Sequence, residues 1–439
     1  MAGQRLHRQR ITGSPSAYRI VLAVTASAAL AITAWIMPGL ALASTKPIQA
    51  IQLRLPLNAG SNAQGLLFGA DCVGAGSCTA GGSYVDRSGH TQAMVVAESG
   101  GRWARPVELR LPPKADPDPF AQVNSVDCTG TSSCVAVGFY DSAGRPQSYA
   151  ATESRGRWHR ALLISPPPNS ASPPDFQLNG VACTGQGSCV AVGSYLDSSG
   201  LSEGLVAVES KGSWARAREL PLPSNAGTNP SATFRSVACT RIGSCVAAGD
   251  YADKSGFIQV AIVTESAGRW GRATQIKLPE HAAAVPMAEV KAVTCAGTGF
   301  CIAVGRYQDT SEKEDSFAAT RTARGWARAI RIAALPANAT ANSNTFASSV
   351  ACTRAGFCAE TGEYIDKANG LASLAVFESK GKWTKAIEVL SPSNGAVGAA
   401  RNTNLNGVSC TTSGYCLVVG DYRAKSGLVK PMAAKAPAP

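Results

Sequence analysis

Histidine is scarce in this chain. There are four among 439 residues, and His7 lies in a basic N-terminal segment. His90, His159 and His281 occupy unrelated positions, which leaves little material for a histidine-rich metal centre. Charged residues are also few, at 16%, while 45% are hydrophobic, a balance too apolar for a disordered protein. Beyond the first 43 residues no stretch combines a long helical period with capping signals. No nucleophile-elbow, zinc-protease or phosphate-loop motif occurs. The sequence thus assigns no catalytic, cofactor-binding or metal-ligating residue.

The first 43 residues read as an export segment. Arg5, Arg8, Arg10 and Arg19 form a basic region without an acidic residue, and an apolar run follows from Ile20 to Ala43. Ala41-Leu42-Ala43 before Ser44 fits a small-x-small cleavage site. A retained membrane anchor is the alternative, because the run is long enough to span a bilayer. The pattern favours a cleaved leader. Either way residues 44–439 are expected outside the cytoplasm, secreted or at the cell surface. The formal charge is +12, and four arginines fall in the leader, leaving +8. That permits attraction to anionic polymers without demonstrating it.

What the chain does have is cysteine in strict order. All 14 fall into Cys-x5-Cys pairs: Cys72/Cys78, Cys128/Cys134, Cys183/Cys189, Cys239/Cys245, Cys295/Cys301, Cys352/Cys358 and Cys410/Cys416. The first cysteines step by 56, 55, 56, 56, 57 and 58 residues, which marks a repeat architecture. This spacing matches neither the Cys-x2-Cys of thiol oxidoreductases nor the paired knuckles of zinc sites. In an exported chain it reads as one disulfide per repeat.

Each unit carries further landmarks. A tyrosine follows the second cysteine in every unit, from Tyr84 to Tyr422, and a tryptophan closes six of them, from Trp103 to Trp383. Between them lie short apolar runs and Gly, Asp and Ser turns, which read as four strands, A to D. Seven such units predict an all-β, seven-bladed β-propeller of four-stranded blades. The seventh unit lacks the tryptophan strand, and Ile51–Pro56 matches the D-strand ending Glu108-Leu109-Arg110-Leu111-Pro112. A strand at 50–56 is therefore expected to complete the blade at 405–435 and close the ring, making 44–439 a single domain.

On these residues the chain resembles seven-bladed propellers. More narrowly, it resembles exported actinobacterial proteins that repeat Ser-Val-x-Cys-x5-Cys-x-Ala-Val-Gly, as in Ser236-Val237-Ala238-Cys239 through Cys245-Val246-Ala247-Ala248-Gly249. That family has no established activity, so the resemblance implies a fold and a location.

The other recurring groups have structural readings beside functional ones. Tyr-x-Asp turns (Tyr84/Asp86, Tyr195/Asp197, Tyr251/Asp253, Tyr364/Asp366) are Asx turns or, less simply, calcium ligands. Basic residues around the tryptophans, such as Arg157/Arg160 and Arg269/Arg272, protect edge strands or form a basic rim. The long D–A loops offer Asp116, Asp118 and Asp175 as candidate acids or as solubilising charges. The leading functional expectation is a monomeric binding module for an extracellular protein or cell-envelope glycan or polymer, without nucleic acid, presenting the D–A and B–C loop face. The alternatives are an extracellular glycan hydrolase or lyase, or a structural envelope protein. Paired carboxylates converging at the axis mouth would mark an enzyme, and a basic or aromatic concavity without them a binding module.

Overall fold

The structure, a computed structural model, describes residues 46–437 apart from 298, 333, 334 and 385. The expected leader lies outside the described residues. Apart from one 3-10 turn at Gly398–Ala400, the regular structure among the described residues is β. No described helix is long and apolar enough to cross a membrane.

Seven antiparallel blades form a propeller. Their inner strands, A, are Gly65–Gly74, Gln122–Gly130, Phe176–Gly185, Thr233–Arg241, Glu289–Cys295, Thr345–Arg354 and Thr403–Thr411. Each packs on the A strand of the next blade, and the last packs on the first, around an axial channel. In blade 4, strand A pairs with strand B (Ser244–Ala252), and B pairs with C (Ile258–Ser266). Strand D comes in two pieces, Arg269–Trp270 and Thr274–Gln275, both paired to C. The break has a cause visible between blades. The buried alanine at it turns its N–H to the preceding blade, as in Ala161 to Arg110 O and Ala273 to Pro221 O, both 2.8 Å. The neighbouring arginine does the same with its side chain: Arg160, Arg272 and Arg328 donate from Nη1 to Leu111, Leu222 and Leu278 O. These basic residues clasp adjacent blades, a role beyond edge protection.

The cores lie between blades. Val190, Val192 and Val206 of blade 3 pack with Phe234, Ala247, Tyr251 and Val263 of blade 4. This is why strands A to C are apolar on nearly every position. One glycine per blade sets the geometry of the inner strand. Opposite Gly138, Gly249 and their counterparts, strand A carries a β-bulge, seen as a register shift between Val123 and Ser125 and between Phe234 and Ser236. A Cβ on Gly138 or Gly249 would collide with the carbonyl oxygen of Gln122 or Thr233. The glycine ending each Ala-Val-Gly run is therefore what lets the inner strand bulge.

The cysteines of each pair face each other across the A–B hairpin. The bridges are Cys72–Cys78, Cys128–Cys134, Cys183–Cys189, Cys239–Cys245, Cys295–Cys301, Cys352–Cys358 and Cys410–Cys416, leaving no free cysteine among the described residues. The two members of a pair differ in their surroundings. The first cysteine, on strand A, is half-buried, and in blades 3 to 7 it lines the channel. The second, one strand further out, is sealed in a seam: Cys189 packs near Val135 and Ala207, Cys301 near Val246, Cys358 near Ala292, and Cys416 near Ala351. Cys189, Cys301, Cys358 and Cys416 are at most 2% exposed. They are core groups, and a sulfur buried this way is inert to exchange. Seven bridges suit an oxidising compartment.

Ring closure comes from the strand Ile48–Gln52. Its residues 50–52 pair antiparallel with Met432–Ala434 of the last strand, Val429–Pro437. Its first two residues pair parallel with Val389 and Leu390 of blade 6, merging the last two blades into one sheet. The closing strand thus runs 48–52, slightly earlier than the sequence match at 50–56. Beyond it Leu53 still donates to Pro431 O at 2.9 Å, and Pro56 already turns toward Ala59. Tyr415 Oη donates to Glu98 Oε2 at 2.7 Å, and Lys435 lies 3.5 Å from the other oxygen, latching blade 7 to blade 1.

Three outcomes are expected. Non-reducing peptide mapping should find each cysteine joined to its hairpin partner. Replacing Cys239 and Cys245 together by alanine should cost roughly 1–2 kcal/mol, because the closed loop is short. Ala50→Pro, in the closing strand, should destabilise by about 3 kcal/mol or more, measured by chemical denaturation.

Candidate functional site

The bulge re-aims one residue per blade toward the mouth of the channel on the D–A loop face. These residues are Phe68, Asn124, Asn179, Arg235, Lys291, Ser348 and Asn406, each four positions before the first cysteine of its pair. Behind them, on strand B between the glycine and the tyrosine, stands a second column: Ser83, Phe139, Ser194, Asp250, Arg306, Glu363 and Asp421. Members of the two columns bond within a blade. Arg235 holds Asp250 through Nε at 2.8 Å and Nη2 at 3.2 Å. Ser348 Oγ donates to Glu363 Oε2 at 2.9 Å, and Asn406 Nδ2 to Asp421 Oδ1 at 3.1 Å. In blade 5 Glu289 lies between Lys291 Nζ at 2.7 Å and Arg306 Nη2 at 3.0 Å.

The ring is therefore uneven. Blades 4 to 7 carry charge in these columns, and blades 1 to 3 carry phenylalanine, asparagine and serine. Among the described residues the channel wall, about 370 Å³ in volume, bears two cations, Arg235 and Lys291, and two acids, Asp71 and Asp127. The acids stand three residues further along strand A, nearer the disulfides. Asp71 accepts from Cys128 N and Ser409 Oγ, both at 2.9 Å. Burial raises its carboxyl above the ordinary range against those bonds. Asp127 is held well above that range by burial and then by the charge of Asp71.

The carboxylates of the second column are turned into the seams between blades. Glu363 and Asp421 are 7% and 4% exposed. Burial pushes Glu363 up to about 7 despite bonds from Leu405 N and Ser348, and Asp421 up to about 6 despite Asn404 and Asn406. Burial likewise raises Asp250, with Arg235 opposing. Glu289 goes the other way: burial raises it, but Lys291, Arg306 and Arg235 together outweigh burial and lower it. Glu360 stands behind Glu363 on strand B, where blades 1 to 5 have alanine and blade 7 has valine. It is 1% exposed with both carboxyl oxygens unpartnered among the described residues, and burial followed by Glu363 pushes it up to about 8.

The acids expected in the loops do not reach the channel wall. Asp116 accepts from Ala143 N and Gly144 N at 2.8 Å, closing a B–C turn. Asp175 lies 3.5 Å from Arg145, and Asp118 is exposed. None of His90, His159 and His281 lines the channel, and no described cluster of three or more histidines, cysteines or acids is placed to hold a metal. The second cysteines of the pairs, Cys189, Cys301, Cys358 and Cys416 among them, do not line the channel either. The Tyr-x-Asp turns are Asx turns: Asp253 Oδ1 accepts from Ser255 N and Phe257 N. The sequence reading missed the partner of the tyrosine. Tyr84, Tyr195, Tyr251, Tyr364 and Tyr422 donate to Asn58, Asn169, Asn225, Asn338 and Asn394, all in D–A loops. The Pro-x-Asn of those loops, as in Pro56-Leu57-Asn58 and Pro336-Ala337-Asn338, was the available signal.

The chain matches no family model and no curated protein. Among solved structures it is similar to a protein of unknown function from Dyadobacter fermentans DSM 18053, with a TM-score of 0.51 at 11% identity over 90% of this chain and 99% of that one. It is also similar to an ulvan lyase of polysaccharide lyase family PL25, with a TM-score of 0.52 at 9% identity over 88% and 94%. The same lyase bound to -[GlcA(1-4)Rha3S]- gives 0.51 at 8%. At these identities the likeness establishes the fold.

The raised carboxyls set a pH dependence. The folded protein binds protons at Glu360, Glu363 and Asp421 that the unfolded chain releases. Their contribution is fully present below the ordinary range near 4 and is lost as pH climbs through about 6 to 8. The thermal midpoint should therefore be lower at about pH 8.5 than at about pH 5.5. Glu360→Met should flatten this profile and add on the order of a few kcal/mol at the higher pH. An unchanged profile would assign the dependence elsewhere.

Proposed function

We propose that this protein is an exported, monomeric binding module that takes a cell-envelope glycan or polymer at the channel mouth on the D–A and B–C loop face. The supporting observation is the division of labour between the two columns. Arg235 and Lys291 face the channel; Asp250, which orients the arginine, is buried in the seam behind, and Glu289, which holds the lysine, is half-buried beside it on strand A. Such locked donors lose little freedom on meeting a ligand. Asparagines and Phe68 complete the rim, a mixture suited to the hydroxyls and faces of sugar rings. The seven hairpin disulfides are in keeping with life outside the cytoplasm.

A glycan hydrolase or lyase is the second reading. It draws on Glu363 and Asp421, buried carboxyls with values raised into the range useful for acid–base chemistry. Against it, both are already engaged by donors of the protein and neither lines the channel. Fold likeness to a lyase carries no activity with it.

A screen of envelope glycans and polymers, with product analysis in parallel, separates the two. Saturable binding without product is expected, and Glu363→Gln should leave affinity within about threefold while lowering stability. Turnover abolished by Glu363→Gln or Asp421→Asn would replace the binding reading with the enzymatic one.

A further inference from the structure

The seven bulge residues at the mouth are charged in one sign only. Of the seven bulge residues two are cationic, none is acidic, and the two cations occupy equivalent positions in adjacent blades, 4 and 5. Each is held from behind. Arg235 commits Nε and Nη2 to Asp250, leaving Nη1 without a partner among the described residues. Lys291 gives one of its three N–H groups to Glu289, which Arg306 also grips. Both side chains keep partial exposure, 33% for Arg235 and 28% for Lys291. A guanidinium and an ammonium with free donors thus stand at equivalent positions of neighbouring inner strands, each tied to a carboxylate. Across the channel, in blades 7, 1 and 2, the bulge residues Asn406, Phe68 and Asn124 are neutral.

We propose that the mouth anchors an anionic group of a glycan chain, a carboxylate, sulfate ester or phosphate, between Arg235 and Lys291. The inference rests on the mouth being the binding site and adds the class of ligand. An acidic group would accept from Arg235 Nη1 and Lys291 Nζ together, two charge-assisted bonds to one anion. The neutral side of the rim would take the uncharged remainder of the sugar. Asp250 and Glu289 do not compete for the site. Asp250 is buried behind the arginine, and Glu289 is bridged to Arg306 as well as Lys291, so the free donors point to the one side left open. A neutral glycan would leave these donors facing water and gain nothing from them.

Binding of the intact, oxidised protein to polygalacturonate, its fully methyl-esterified form, a sulfated galactan and a polyglycerol phosphate tests this, and whichever anionic polymer binds identifies the source of the charge. At least one anionic polymer should bind about tenfold or more tighter than the neutral ester, and raised salt should weaken it. Lys291→Gln should lose about tenfold in affinity with an unchanged thermal midpoint, since Glu289 keeps Arg306. Arg235→Lys, which retains the charge for Asp250 but removes the fork, should also weaken binding. Binding of the neutral ester as tight as that of every anionic polymer, or full affinity in both variants, would overturn the anionic anchor while leaving a saccharide site at the mouth. Binding to none of the four polymers would overturn the anchor and the mouth reading together.

Discussion

The structure turns on the contact between a strand-B glycine and the bulge facing it on strand A. A bulge pushes a carbonyl into space that a side chain on the partner strand would fill. Only glycine leaves that space empty, and the chain supplies one at this point in all seven blades. The consequence is directional. A regular strand would send alternate residues into the two seams, where the cores lie. The bulge breaks the alternation once and delivers one residue per blade to the channel mouth. A backbone irregularity, repeated seven times, thus creates a ring of positions exempt from the demand for apolar side chains.

The rest of the fold frees that ring to vary. Stability is assembled between blades and near the outer ends of the strands. Interblade cores, alanine N–H groups at the break in strand D, and arginines reaching back to the preceding blade all tie neighbours together. On the D–A face each buried tyrosine meets a loop asparagine and, in several blades, a second acceptor on strand D that shares its one phenol proton: Glu108 for Tyr84, Glu219 for Tyr195 and Gln52 for Tyr422. Gln52 belongs to the closing strand, so the last blade repeats this network with a residue from the other end of the chain. Each hydrogen bond of this kind is worth only about 1 kcal/mol, but it recurs and leaves few buried phenols unpaired. The bulge column joins this machinery only where it carries asparagine: Asn124, Asn179 and Asn406 each donate from Nδ2 to a carbonyl of the next blade, those of Leu178, Phe234 and Leu67.

What could be read in the sequence followed from repetition. The cysteine period, the tyrosines and tryptophans, the missing last strand and its match near Ile51 carry the blade number, the disulfides and the closure, because every repeat votes for the same answer. The spacing of a pair such as Cys183 and Cys189 says that the two meet, but not that one sulfur borders the channel and the other a core; that difference comes from the ring. The site was harder to read for the same reason. The position four before the first cysteine holds Phe, Asn, Asn, Arg, Lys, Ser and Asn, and without the bulge it looks like noise in an apolar strand. Strict alternation would place Arg235 in a core seam, an unreasonable place for it. The conflict between the residue and its expected environment was the signal. The loop acids Asp116 and Asp175 drew attention because loops carry function in many folds, yet here they serve turns and rim contacts.

In a sevenfold repeat, departures from the consensus separate by what they cost. Serine for phenylalanine at a half-exposed rim position costs little, and drift alone would produce it. A buried charge is different, because desolvation must be offset by partners or by a proton. The chain places Asp250, Glu363 and Asp421 where blades 1 and 3 have serine, and it adds Glu360 where alanine fits. The first three obtain partners from the bulge column beside them. Those pairings connect two columns that each vary, and where the second column carries a buried acid the bulge residue of the same blade supplies a donor: Arg235 to Asp250, Ser348 to Glu363, Asn406 to Asp421. Asp250 fits selection for a cation fixed in place on the channel wall, since a buried acid behind Arg235 restricts its geometry as solvent could not. Glu360 stands apart, unpartnered and facing an apolar seam, and the proton it holds near neutral pH is the least costly way for the fold to keep it.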